Sequence, residues 1–358
     1  MNIKVSIVTP VFNVPRGNLR ACLDSLAAQT MQECEFIVVS DGASEAECSV
    51  CEEYAVKDSR FKFFSCKHAG VSATRNYGID HAQGEFITFV DADDWIEPET
   101  CKITYDFAIE NNSDIVFWDL FLQEPEKEAV STEFRPQNIQ NLSNEDFSIF
   151  QDSIIHCPKR NFLVPPLTVC KLLRRSCIQK YHIKFDTTLS RGEDRVFNFQ
   201  VVSHVKRMAY LKRSLYHYII HESSTEQAFH KHDFIDLLKF IQRLDDLSEQ
   251  KKRFSIANET IECFFRCIYK LYHSNLNRKQ IISELFFLKK QIKKEPFHTF
   301  IQKASFPEYS LLAKCEIALM KRKFTLAFVL RILKAFLRGS SAPVQKPSYQ
   351  QSPPTKTV

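Results

Sequence analysis

Glycine is scarce in this chain. There are seven in 358 residues, and five of them (Gly42, Gly70, Gly78, Gly84 and Gly192) lie in or beside the segments singled out below. A residue used so sparingly is reserved for tight backbone geometry. Long apolar runs are missing: none approaches the ~20 residues a bilayer-spanning helix needs, which excludes such a helix. A secretory h-region is missing too, because the opening "MNIKVSIVTP" passes straight into a strand pattern. The twelve cysteines are scattered, and Cys48 and Cys51 form a C-x-x-C with no second pair at zinc-ribbon spacing. A reduced cytosolic chain with two thiols on a helix is therefore expected over a disulfide framework or zinc site. No acidic residue follows Glu316, so the end of the chain is purely basic, yet 48 Lys+Arg against 43 Asp+Glu leave a net charge of only +5. That balance does not indicate a nucleic-acid partner.

What is present is a core-forming composition, 44% hydrophobic, enough for one large domain or two ordinary ones. Residues 3–9 ("IKVSIVT") form an apolar, β-branched run, after which Leu19, Cys22, Leu23 and Leu26 recur at helical spacing. The alternation continues through "EFIVVS" (35–40), a helix over 44–57, "RFKFFSC" (60–66), a helix opening near Val71, and "EFITFV" (85–90). Strands alternating with helices predict an α/β fold with a mainly parallel sheet and helices on both faces. From about 124 to 165 the pattern gives way to polar, proline-bearing sequence. Beyond about 230 the periodicity is helical, and residues 339–358 read as a flexible tail.

Open α/β sheets bind ligands at the carboxyl ends of their strands, which here carry "TPVFN" (9–13), "SDGAS" (40–44) and "DADD" (91–94). Two carboxylates in Asp-x-Asp spacing at a strand exit can share one hard divalent cation, Mn2+ or Mg2+, and through it address phosphate oxygens. The competing reading is that Asp93 or Asp94 caps a helix before "WIEPET". Arg75 is either a surface cation on its helix or, near a helix start after Gly70, a phosphate or base contact. Glu193 and Asp194 are likewise either a solvated first turn of the helix "RVFNFQVV" or functional carboxylates.

The ordered set "VSIVTPVFNVPRGNLRACLDSLAAQT", "EFIVVSDGAS", "GVSATRNYGIDHAQGEFITFVDADDWIEPE" and "KLLRRSCIQKYHIKFDTTLSRGEDRVFNF" resembles glycosyltransferase family 2, the inverting nucleotide-sugar enzymes of the GT-A fold. The resemblance is dense over 1–120 and looser over 165–225. It implies that Pro10, Val11 and Asn13 line a uridine pocket and that Asp41 reads the uracil ring. It implies further that Arg75 and Asn76 pack by the nucleotide, that Asp91 and Ala92 meet the donor, and that Asp91 and Asp93 hold the metal, with Asp93 its more direct ligand. Asp194 matches the catalytic base, with Glu193 its neighbour. Ser40 stands where the family usually has the first of two aspartates, and Phe12 where a tyrosine is common.

In "LYHYIIHESST" (215–225), His221 or His217 could complete the metal shell or touch diphosphate, or both could be satisfied histidines at a strand end. Over 320–338, Lys323, Arg331, Lys334 and Arg338 share one helical face beside a broad apolar surface, which suits either an anionic membrane surface or core packing. The domains implied are 1–225, a GT-A domain with a nucleotide-sugar-binding half (1–120) and an acceptor and catalytic half (121–225), then a helical region (226–338) and the tail (339–358). The function implied is metal-dependent inverting transfer of a sugar, from a UDP-sugar, to a glycan or lipid-linked acceptor in cell-surface polysaccharide synthesis. The enzyme would be cytoplasmic or peripheral at the cytoplasmic face of the membrane. Two rivals are a sugar-nucleotide nucleotidyltransferase, whose glycine-rich phosphate loop "TPVFNVPRGN" does not resemble, and a non-enzymatic membrane-associated binding protein.

Overall fold

The computed structural model describes residues 2–123, 130–131, 134–135, 137–156, 164–220, 233–248, 253–272, 274, 276–295 and 297–304. His221, the segment 320–338 and the tail lie outside the described residues. The chain folds as two units, one made of Met1–Ser274 with Lys294–Ser305 and the other containing Asn275–Lys293.

The first unit opens with the alternation read from the sequence: β1 (Val5–Val11), α1 (Arg16–Ala27), β2 (Cys34–Asp41), α2 (Glu45–Lys57), β3 (Phe61–Cys66), α3 (Val71–His81) and β4 (Phe86–Phe89). β1 pairs in parallel with β2 and β4, and β2 with β3. Every residue of β2 is buried, and so are Val5 to Thr9 of β1, so helices cover both faces of this half. α1 buries Leu19, Cys22, Leu23 and Leu26, the four positions that its spacing predicts. Burying each such side chain is worth about 1.5–3 kcal/mol, which is what fixes α1 against the sheet. α2 starts at a capping box in which Ser44 and Glu47 satisfy each other's backbone N–H groups. Within it Cys51 is buried, which pushes its thiol up to about 12, so it is not a reactive thiolate.

The chain continues through β5 (Trp95–Ile96), α4 (Thr100–Glu110), β6 (Ile115–Gln123), β7 (Val130–Ser131), α5 (Asn144–Ile155), β8 (Lys171–Arg174), α6 (Arg175–Lys180), α7 (Glu193–His204) and β9 (Met208–Ile219). The nine strands form one sheet in the order β3-β2-β1-β4-β8-β6-β9-β5, with β7 on β6. Past β4 the pairing is mixed. β8 runs antiparallel to both β4 and β6, while β6 and β9 are parallel with register shifts around Asp119. α5 lies inside the stretch expected to be irregular. Its signal is Ser143, whose side chain accepts from the Asp146 N–H ahead of Phe150 and Ile154 at helical spacing. α8 (Asp233–Leu247), α9 (Arg253–Tyr272) and α11 (Phe297–Lys303) complete this unit, and α10 (Arg278–Ile292) belongs to the other. No helix among the described residues is long and apolar enough to cross a membrane.

Candidate active site

β1, β2 and β4 deliver their loops to a cavity of about 770 Å3 lined in part by Pro10, Asn13, Asp41, Arg75, Asp91, Ala92 and Asp93. Seven residues expected at a nucleotide-sugar site therefore share one concavity. Val11 is wholly buried in β1 and sits behind it. Asn76 is not among the lining residues. Its side chain accepts from the Phe185 N–H at 2.8 Å and donates to the Phe185 carbonyl at 2.9 Å, which ties α3 to the segment ahead of α7.

Asp41 closes one wall. Its carboxylate accepts the Ala69 N–H at 2.7 Å and the Gly70 N–H at 3.0 Å, at the start of α3, where the helix dipole favours an anion. Gly70 takes φ +91 there, a region open to glycine. His68 lies 3.0 Å from the same carboxylate and stacks on Phe12, ring centroids 4.5 Å apart. Phe12 is half exposed, leaving a flat aromatic surface at the cavity rim. No motif marks His68 in the sequence.

"DADD" divides its work. The Asp94 N–H bonds the Asp91 carbonyl at 3.1 Å, forming a turn, and the next element is β5 rather than a helix, so neither Asp93 nor Asp94 caps one. α4 starts later, at an N-cap Glu99 that makes no side-chain cap bond. Asp94 is buried: one oxygen accepts from the Tyr216 hydroxyl at 2.6 Å and the other from the Ile219 N–H at 2.8 Å. Burial, then the charges of Asp91 and Asp93, push its carboxyl well above the usual range. The Tyr216 hydroxyl in turn receives the Asp91 N–H at 3.2 Å, so β9 holds the turn in place. Of the turn's carboxylates, Asp91 and Asp93 line the cavity.

Arg75 joins the two halves of the site. It is buried on α3 and donates to Asp91 at 2.8 Å and to Asp194 at 2.6 Å, with Glu193 at 3.9 Å. Its guanidinium also lies 5.4 Å from the Phe185 ring centroid. Burial opposes the charge on Arg75, but Asp194 and Asp91 outweigh it and keep the group protonated. Asp91's carboxyl is raised by burial, with Arg75 pulling it down. Burial rules out the surface-cation reading of Arg75, and Glu193 and Asp194, half-buried at the first turn of α7, are drawn into an ion-pair cluster with it.

Gly192 starts α7 in the left-handed region, φ +78, and a Cβ there would come within 2.5 Å of the Phe240 ring. Gly192→Ala is expected to cost about 1–3 kcal/mol in backbone strain alone. Thermal unfolding should show a clear drop, and an unchanged midpoint would contradict the tight approach. Glu193 is raised to about 7 by burial and by the neighbouring Asp194 charge, against the pull of Arg75. A carboxyl raised on folding binds more protons in the native state, so its contribution falls as pH rises from about 4.5 through about 7. Glu193→Gln should therefore be more stable than the parent above pH 7, by on the order of 1–3 kcal/mol in the metal-free chain. Urea unfolding at pH 5 and pH 8 checks the sign, and a variant less stable at pH 8 would contradict it.

His217 does not reach this cluster. It stacks on Trp95 with centroids 3.3 Å apart and bonds Glu97 through Nε2 at 2.8 Å. Lys171 is another residue whose role the sequence leaves unmarked. It is fully buried and donates to the Val164 carbonyl at 2.6 Å and to the Leu167 carbonyl, and burial lowers its pKa to about 7. Asn198 on α7 bonds the Leu167 carbonyl at 2.8 Å, so this loop is pinned to the helix that carries Asp194.

Comparison with known proteins gives concordant results. The family model described as glycosyl transferase family 2 matches residues 6–163. The putative glycosyltransferase EpsH of Bacillus subtilis is 33% identical over 264 residues, covering 69% of this chain and 72% of EpsH. The chain spans 32% and 60% of two further glycosyltransferase relatives. Among solved structures, Staphylococcus aureus TarS 1–349 in complex with UDP-GlcNAc superposes with a TM-score of 0.64 at 18% identity, over 94% of this chain and 92% of that one. The mannosyltransferase PcManGT of Pyrobaculum calidifontis, in complex with GDP-Man and Mn2+, reaches 0.51 at 12% identity, over 93% and 86%.

Proposed function

The chain belongs to glycosyltransferase family 2, and from that premise we propose that it moves a sugar, with inversion, from a UDP-sugar to a hydroxyl of a glycan or lipid-linked acceptor in cell-surface polysaccharide synthesis. The observation that carries this reading is Arg75 between Asp91 and Asp194. Arg75 lines the 770 Å3 cavity and ties the Asp-x-Asp turn there to a carboxylate 119 residues away, which is not itself among the lining residues. TarS, named a poly(ribitol-phosphate) β-N-acetylglucosaminyltransferase and solved with UDP-GlcNAc, supports a uridine donor and a polymeric acceptor for this chain as well.

The donor set fits a hard divalent cation: Asp91 and Asp93 place carboxylates beside open volume, and Asp94, bonded to Tyr216 and the Ile219 N–H, is not among the lining residues. When bound, such a cation would neutralise the diphosphate as it leaves. Phe12, stacked on His68, would take a base ring on its exposed face, with Asp41 and the Gly70 turn below it. Arg75 holds the Asp194 carboxylate in place at 2.6 Å, and Asp194 accepts the acceptor's proton as that oxygen attacks the anomeric carbon. The buried Phe185 and Phe197 rings, stacked 3.9 Å apart, pack behind the Arg75 guanidinium.

A second reading places the base at Glu193, the other carboxyl on the first turn of α7, 3.9 Å from Arg75 and pushed up by burial, so that it rivals Asp194 for the proton. A thermal-shift screen of UDP-, GDP- and other nucleotide sugars, with and without Mn2+ or Mg2+, tests the donor assignment. A rise confined to UDP-sugars plus cation is expected. A rise with another nucleotide alone would overturn the assignment.

A further inference from the structure

Three helices outside the sheet converge on the first turn of α7. Arg195 follows Asp194 directly and points about 100° around the helix from it. Asp194 bonds Arg75, while Arg195 turns to α5, α8 and α9. Its Nε donates to the Ile154 carbonyl, in the last turn of α5, at 2.7 Å. A terminal nitrogen donates to Glu259 on α9 at 2.8 Å. The guanidinium also sits 4.8 Å from the ring centroid of Phe240 on α8, the ring that leaves no room for a side chain at Gly192.

Glu259 is the fixed point of this arrangement. Its carboxylate is 2% exposed and accepts from Arg195, from the Arg266 guanidinium, from the Cys263 thiol at 3.1 Å and from His156 Nδ1 at 3.1 Å. His156, Glu259 and Glu262 lie close enough to hold a cation, but two arginines already balance Glu259, which argues for an ion-pair hub instead. α7 is also held by its own buried face, Val196, Phe197 and Phe199.

We propose that Glu259 is a positioning residue for the transfer reaction: through Arg195 it sets the rotation and height of the first turn of α7, and so places the Asp194 carboxylate beside Arg75 and Asp91. The proposal rests on Asp194 being the general base. Positioning matters because a misplacement of about 1 Å can cost on the order of 10²-fold in rate. Glu259 is not among the residues lining the cavity and does not bond Arg75; Arg195 is its direct link to the first turn of α7.

The test uses the full chain with Mn2+ and the UDP-sugar that the parent hydrolyses fastest, water standing in for the acceptor. Glu259→Gln keeps the shape of the side chain, and Arg195→Met keeps the stem over Phe240. Each is expected to lower kcat about 10- to 100-fold while donor KM stays within about twofold, and the double variant should lose no more than the worse single. Glu259→Gln should add no further loss to Asp194→Asn, and a crystal structure of Glu259→Gln should show the Arg75–Asp194 pair lengthened. Unchanged kcat in either single variant, losses that multiply, or a rise in KM in step with the fall in kcat would overturn the proposal. Should Glu259→Gln fail to fold, Arg195→Met decides alone by the same kcat and KM criteria. If Asp194→Asn retains full turnover, the base assignment falls by that result, whatever Glu259→Gln does.

Discussion

Asp93→Ala is expected to abolish sugar transfer and to remove the metal dependence of UDP binding. Asp93 lines the cavity beside Asp91, while Asp94 spends both oxygens on Tyr216 and the Ile219 N–H. No third carboxylate of the turn can substitute for it without breaking the bond that holds the turn to β9. A cation that stabilises the leaving diphosphate supplies several kcal/mol, so the loss in turnover should be on the order of 10³-fold or more. Asp91→Ala should be milder in metal linkage, but it also strips Arg75 of one partner at 2.8 Å and so loosens the cluster. Calorimetry of UDP with and without Mn2+ separates the two variants. Full metal-linked affinity in Asp93→Ala would show that the cation is held elsewhere.

Asp194→Asn is expected to leave donor and metal binding nearly intact and to lower turnover roughly 10²- to 10⁴-fold, the usual cost of losing general-base assistance. Asparagine can still accept from Arg75 through its side-chain oxygen, so the geometry of the 2.6 Å contact survives while the proton acceptor does not. Glu193→Gln should cost less, because Glu193 sits 3.9 Å from Arg75 and is aimed less directly. Single-turnover transfer measured beside donor titration distinguishes the two. A larger turnover loss in Glu193→Gln would move the base to Glu193, as its titration near 7 allows.

How much of this could be read from the chain differs from residue to residue, for physical reasons. β1, β2 and β4 and the burial of Leu19, Cys22, Leu23 and Leu26 follow from local periodicity, because each element buries a face that its own sequence spells out. The meeting of "TPVFN", "SDGAS" and "DADD" at one cavity follows from the rule for strand ends in parallel sheets. Pairings across long separations do not follow from any local pattern. Nothing near Arg75 says that it bonds Asp194, and nothing near Asn76 says that its amide is used on the Phe185 backbone. β8 between β4 and β6, running against both, is likewise a non-local choice, made where four residues of "KLLR" complete the sheet. Lys171 reads as an ordinary cation, and only the folded chain shows it buried against backbone carbonyls. α5 had a local signal in Ser143 and Asp146, obscured by the polar sequence around it.

Release of UDP from a UDP-sugar, measured with Mn2+ and again with the cation chelated, tests the central claim most directly. The account predicts cation-dependent release by the parent chain and none by Asp93→Ala. Release that persists without a divalent cation, or that survives in Asp93→Ala at the parent rate, would contradict it.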